Sequence, residues 1–237
     1  MLRLMQKFST KDMALFTATL ALLLFFWDLS GLDLAMAQWF GTPAGFALQD
    51  NWLLTVVLHD GARRLAWALA LLLCVGVWCP VGWLQRLGFH RRLQLALTTL
   101  VAVTVVSSLK SISMTSCPWS LAEFGGVAHY MPHWSHLFET DGGNGGCFPA
   151  GHASSGFAFL GGYFALRRDM PALAVKWLVA SVVAGLALGM AQQMRGAHFM
   201  SHTLWTGLIC WVTAWAIDAW MSRFNFTGIT ADLGEGA

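Results

Sequence analysis

Apolar positions in this chain cluster into long runs separated by short polar stretches. Runs of about 20 apolar residues are long enough to cross the hydrocarbon core of a bilayer as helices. Six such runs stand out, at 12–31, 65–84, 92–111, 151–167, 172–191 and 198–221. Asp28 interrupts the first. Between the first two, residues 32–50 read as an amphipathic or interfacial segment containing Gly41-Thr42-Pro43, and 51–64 as a second non-spanning piece ending in His59-Asp60-Gly61-Ala62-Arg63-Arg64. The longest polar stretch, 112–149, carries Gly125-Gly126 and Gly142-Gly143-Asn144-Gly145-Gly146 and reads as a loop. The pattern predicts an all-α polytopic membrane protein. It would be a bundle of six transmembrane helices forming one domain over 1–237, with outer loops 32–64 and 112–149 and a cytoplasmic tail 222–237. The N-terminus is basic and then apolar without a small-residue cleavage site, so it reads as a retained first span.

Composition agrees with this picture. The chain is 57% hydrophobic and 11% charged, against about 25% charged for an average soluble domain. Thirteen Trp and sixteen Phe suit membrane cores and interfacial belts. A dispersed net charge of +2 gives no basic patch for nucleic acid. Charged residues are scarce in the middle of the runs, which argues against a channel or ion transporter.

Lys and Arg set the orientation. With the N-terminus in the cytoplasm, ten of fourteen fall on that side: Arg3, Lys7, Lys11, Arg86, Arg91, Arg92, Arg167, Arg168, Lys176 and Arg223. Arg63, Arg64, Lys110 and Arg195 fall outside, where positive charge is otherwise avoided, and so suggest an anion. Histidines lean the same way. His59, His129, His133, His136, His152, His198 and His202 lie at or near the outer face, and only His90 lies inside.

Two stretches carry the candidate chemistry. Phe148-Pro149-Ala150-Gly151-His152 and Arg195-Gly196-Ala197-His198-Phe199-Met200-Ser201-His202 each place a histidine where an apolar helix begins. Free N–H groups and the positive dipole end of a helix suit a phosphate. Gly151 lets backbone approach an oxyanion closely. Lys110, at the outer end of the third run, adds a cation. Phosphoryl transfer needs such a set: donors and positive charge around the phosphoryl oxygens, with a nucleophile and an acid in line.

At these positions the chain resembles the type 2 phosphatidic acid phosphatase superfamily, in its membrane branch acting on lipid phosphates. The first motif of that family is Lys, six residues, Arg-Pro; here Lys110 is followed by six residues and Cys117-Pro118. The second, Pro-Ser-Gly-His, reads Pro149-Ala150-Gly151-His152. The third is Ser-Arg, five residues, His, two residues, Ser-Asp; here it reads Ala191-Gln192, five residues, His198, two residues, Ser201-His202. The resemblance implies His198 as a nucleophile forming a phosphohistidine, and His152 as the acid for the leaving group. It implies Lys110 and the backbone at Gly151 as phosphate ligands, and neither metal nor cofactor. Cys117 and Gln192 stand where the family has arginines, His202 where it has the aspartate that orients the nucleophile, and Ala150 where it has a serine. Arg195, one turn before His198, is the candidate replacement for the lost arginine. His202, one turn after His198, is the candidate replacement for the aspartate. Asp60, Arg63 and Arg64 could reach in from the first outer loop.

Cys74, Cys79 and Cys210 lie in or beside apolar runs as small fillers. Cys117 and Cys147 share the outer loop and are expected to form a disulfide in an oxidising compartment. His129, His133 and His136, with Glu139 and Asp141, admit a metal site, but the aromatics Tyr130 and Trp134 between them favour an amphipathic lid. Trp119 and Trp205 read as interfacial belt residues. The expected protein is therefore a bacterial inner-membrane hydrolase acting at the periplasmic face on a lipid phosphate or pyrophosphate. The alternatives are a lipid phosphotransferase, and a non-catalytic lipid-binding or transport protein. Its partners would be the amphiphilic substrate and membrane lipids.

Overall fold

A computed structural model describes residues 9–132 and 139–223. His133, Trp134 and His136 lie outside the described residues, as do Arg3, Lys7 and most of the expected tail. Among the described residues, helix dominates the apolar runs. Five helical runs among the described residues are long and apolar enough to cross a membrane.

Helix α1 (Thr10–Leu29) starts at a capping box: Ser9 Oγ accepts from Asp12 N at 3.2 Å and the Asp12 carboxylate accepts from Ser9 N at 2.8 Å. Gly31, at φ +72°, turns the chain into the short α2 (Leu32–Ala37). A two-residue hairpin pairs β1 (Gly41–Thr42) with β2 (Gly45–Phe46). A π-wound stretch, Leu53–Gly61, then runs without a break into α3 (Ala62–Trp78). This corrects the reading of 51–64 as a non-spanning piece. The residues Leu53-Leu54-Thr55-Val56-Val57-Leu58 are apolar enough to extend the second span outward, so His59 and Asp60 ride on the helix itself.

After Pro80 and a 3₁₀ turn at Gly82–Arg86, α4 (Phe89–Ile112) crosses the bundle. The fourth apolar run differs from the simple span expected at 151–167. It is helical only from Ser154, in α5 (Ser154–Phe157), a 3₁₀ turn at Ala158–Leu160, and α6 (Gly161–Leu166). Thirteen helical residues rise about 20 Å, short of a bilayer core. This segment is the centre of the bundle rather than a lipid-facing wall: Phe164, Ala165 and Leu166 have no exposed surface. Its glycines allow close backbone approach. A Cβ on Gly156 would meet Gly185 N at 2.2 Å, and one on Gly162 would meet the Trp177 indole at 2.2 Å. Helices α7 (Pro171–Met194) and α8 (Met200–Arg223) complete the bundle, with α8 packed against α1, α4 and α7. Leu15, Leu22, Phe26, Leu71, Val179 and Val183 point outward, as lipid-facing positions should.

Candidate active site

The 112–149 loop is folded down onto the bundle end by a covalent and polar frame. Cys117 and Cys147 form the expected disulfide, with Cα atoms 5.2 Å apart. Gly146 N donates to Ser113 O at 2.8 Å and Cys147 N to Thr115 O at 2.9 Å. Asp141 accepts from Ser116 N at 2.6 Å, Ser116 Oγ at 2.7 Å and Gly143 N at 3.0 Å. That carboxylate is thus a loop anchor, and no three His, Cys, Asp or Glu residues among those described are grouped to hold a metal.

This frame places two of the motif residues. Lys110, in the last turn of α4, donates to Gly146 O at 2.6 Å, and its alkyl chain passes 3.4 Å from where a Cβ on Gly151 would stand. The backbone of Cys147 is hydrogen-bonded to the ring of His198. His198 and His152 both precede their helices, at the open ends where N–H groups have no intrahelical partner. His198 is buried, and burial lowers its proton affinity well below the ordinary histidine value, with Lys110 and His152 adding to the effect. His152 is pushed down to about 3, first by burial and then by its neighbours His59, Lys110, Arg63 and Arg195. Several cations therefore crowd two neutral imidazoles, an arrangement completed by an anion.

Arg195 donates through Nη1 to Gln192 Oε1 at 3.1 Å and through Nε to Gln49 O at 2.8 Å, so Gln192, at the family's arginine position, holds the Arg195 guanidinium. Gln192 Nε2 is buried without a hydrogen-bond partner among the described residues. His202 is fully buried, its ring edge-on to Phe148 and Phe199, with Nδ1 3.5 Å from His198 Nδ1. That separation is the outer limit of a hydrogen bond, so His202 is placed to steady the His198 ring from a buried position. Arg63 reaches the site, and Arg64 is not among the residues lining the cavity described next.

A cavity of about 220 Å³ opens between α3, α4 and α5. Arg63, Gly151 and His152 line its polar part, and Trp67, Leu100 and Phe159 its apolar part. Sequence reasoning missed two neighbours. His59 stacks on His152, with ring centroids 3.6 Å apart. Asp33, buried in α2, accepts from Ser201 N at 3.0 Å and also from Ser201 Oγ, three residues beyond His198. Neither contact has a signature in local spacing, because each joins segments far apart in the chain.

Lys110, His152 and His198 lie within electrostatic reach of one another at one end of an apolar helical bundle, with Arg63 and Arg195 acting on the same His152. The description of the PAP2 superfamily matches residues 91–226, more than half of the chain, and the protein belongs to that superfamily, whose members are phosphatases. Lys110, His152 and His198 fall within the matched region, while Asp33, His59 and Arg63 fall before it. No curated protein and no solved structure matches the chain at a significant level.

Proposed function

We propose that the protein is an integral membrane phosphatase that hydrolyses a lipid phosphate or pyrophosphate through a phosphohistidine on His198. The observation that carries this reading is a cation-rich cluster holding His198 and His152, whose His152 side opens into a cavity with an apolar wall. A headgroup phosphate would lie in the polar part beside Arg63, Gly151 and His152, with Lys110 and Arg195 acting on the same His152. A lipid tail fits between Trp67, Leu100 and Phe159, entering from the bilayer.

In the first step a His198 ring nitrogen forms a bond to phosphorus, and the bond from phosphorus to the leaving oxygen breaks. His152 gives that oxygen its proton. In the second step water attacks phosphorus, His152 takes the water's proton, and the N–P bond breaks to release phosphate and restore His198. Lys110, Arg195 and the Gln192 amide stabilise the equatorial oxygens. Neutral His152 acquires its proton once the phosphate's charge offsets the surrounding cations. The Lys and Arg distribution and the Cys117–Cys147 bridge support placement in a bacterial inner membrane with the site at the periplasmic face.

The test is phosphate release by purified protein from a panel of lipid monophosphates and pyrophosphates. His198→Ala and His152→Ala should each lower the rate by about a hundredfold or more, and a chelator should leave wild type active. Wild-type rates in both variants would sink the mechanism. Lipid binding without turnover would assign the fold to a lipid binder instead, and appearance of the phosphate on a second lipid would assign it to a phosphotransferase.

A further inference from the structure

The π-wound stretch Leu53–Gly61 lies outside the region that matches the superfamily, yet it delivers a side chain to the centre of the site. Such windings are uncommon and often mark functional positions. Here the winding leads into Arg63, four residues after His59, and both side chains turn toward His152. The His59 ring lies over the His152 ring with centroids 3.6 Å apart and planes inclined by 31°. Its Nδ1 is 2.9 Å from Asp60 Oδ1. One nitrogen of His59 is thus committed to a carboxylate, which fixes the ring's rotation. The ring's face, not its edge, is offered to His152.

We propose that His59, braced by Asp60, is a positioning residue that holds the His152 ring in the orientation from which it donates its proton to the leaving oxygen. The proposal rests on the reading of His152 as the acid. A stacked neighbour blocks rotation of the imidazole about its Cβ–Cγ bond. The remaining groups acting on His152 are Lys110 from α4, Arg63 from α3 and Arg195 from the turn between α7 and α8, and all of them are positive. His59 works in the same sense. Lowering the proton affinity of His152 makes its protonated ring a stronger acid, which favours transfer to an alkoxide.

The leaving group separates this role from a structural one. A lipid alkoxide needs a proton as it departs, whereas p-nitrophenolate does not. With full-length protein in detergent micelles, His59→Ala should lower kcat for a lipid monophosphate by about tenfold or more. KM and, on p-nitrophenyl phosphate, the single-turnover burst of p-nitrophenolate, which precedes attack by water, should change little. His59→Phe, which stacks without charge, should restore most of the lipid rate, with the limb of the pH profile that reports His152 moved to higher pH. Equal losses on both esters, or no loss on either, would overturn the proposal. His152→Ala distinguishes the two failures: if it abolishes lipid turnover while His59→Ala does not, only the positioning role falls, and if it retains full turnover, the acid assignment falls as well. Stacking is also read without turnover, from the ring resonance of ¹³C-labelled His152. Its ring-current shift should persist in His59→Phe and vanish in His59→Ala, and an unchanged resonance in His59→Ala would refute the contact.

Discussion

The carboxylate of Asp33 shows how a site with a missing motif residue can be braced from elsewhere. Burial raises its proton affinity above the ordinary aspartate value, and three donors offset that: Ser201 N, Ser201 Oγ and Trp27 Nε1 at 2.9 Å. Asp33 thereby caps the open end of α8 directly after His198. Asp33→Ala should cost about 2–3 kcal/mol by leaving those donors unpaired. It should also slow turnover by letting His198 shift. Asp33→Asn, which keeps the shape and an acceptor, should cost less on both counts. Thermal melts and lipid-phosphate assays of the two variants check this. A second expectation concerns His152. Its folded-state proton affinity is depressed to about 3, so the resting group is neutral at physiological pH. A bound phosphate favours the charged ring, so binding takes up a proton and must weaken as pH rises. Competitive inhibition by inorganic phosphate should therefore weaken from pH 6 to pH 8 more in wild type than in His152→Gln, which retains only phosphate's own titration. His152 and His198 stand out in the sequence because each opens an apolar run and matches a family motif. Asp33 does not, because its partner lies 168 residues away, and only folding reveals a contact of that separation.

Among the elements, the loop frame does the most to assemble the site. The bridge between Cys117 and Cys147 spans 30 residues and fixes the two carbonyl-bearing residues, Gly146 and Cys147, that contact Lys110 and His198. Replacing both cysteines by serine should lower stability by roughly 3–4 kcal/mol in the chain-entropy picture. It should also reduce turnover more than a distant change of equal stability cost, because both anchors loosen together. A thermal melt paired with kcat on the same sample tests this, and unchanged kcat would show that the hydrogen bonds suffice. The bridge was readable because two cysteines shared one polar loop. The start of α3 was not, since the polar run His59-Asp60 followed by Arg63-Arg64 looks like a boundary. The helix carries it because His59 and Arg63 turn toward His152 instead of lipid. The breaking of the fourth run into α5, a 3₁₀ turn and α6 was also hidden. Its cause is packing: Gly156 and Gly162 bring backbone against Gly185 and Trp177, and the segment sits inside the bundle, where a full-length span is not needed.

At the scale of the whole molecule, the two ends of the bundle have different chemistry and are separable by mutation. One end gathers histidines and cations, with His152 and Arg63 lining a cavity. The other is a closed polar knot on Asp218 of α8, which is buried. Its carboxylate accepts from Arg167 Nη2 at 2.6 Å and from Gln94 Nε2 at 2.8 Å, with Arg91 Nη1 at 3.6 Å. The knot ties α4, the end of α6 and α8 together. A buried charge group of this kind adds little over a well-packed apolar core, but removing one member strands the others. Asp218→Ala should accordingly destabilise the protein by about 3 kcal/mol, since two arginines lose their counter-ion. The histidine end has its own fastenings in Asp33, the disulfide and Lys110, so kcat per folded molecule should stay at the wild-type value. The comparison with Asp33→Ala is decisive. Both variants should melt earlier, but only Asp33→Ala should lose turnover at a temperature where both are folded. Loss of turnover in Asp218→Ala under those conditions would mean that the bundle transmits its packing from one membrane face to the other.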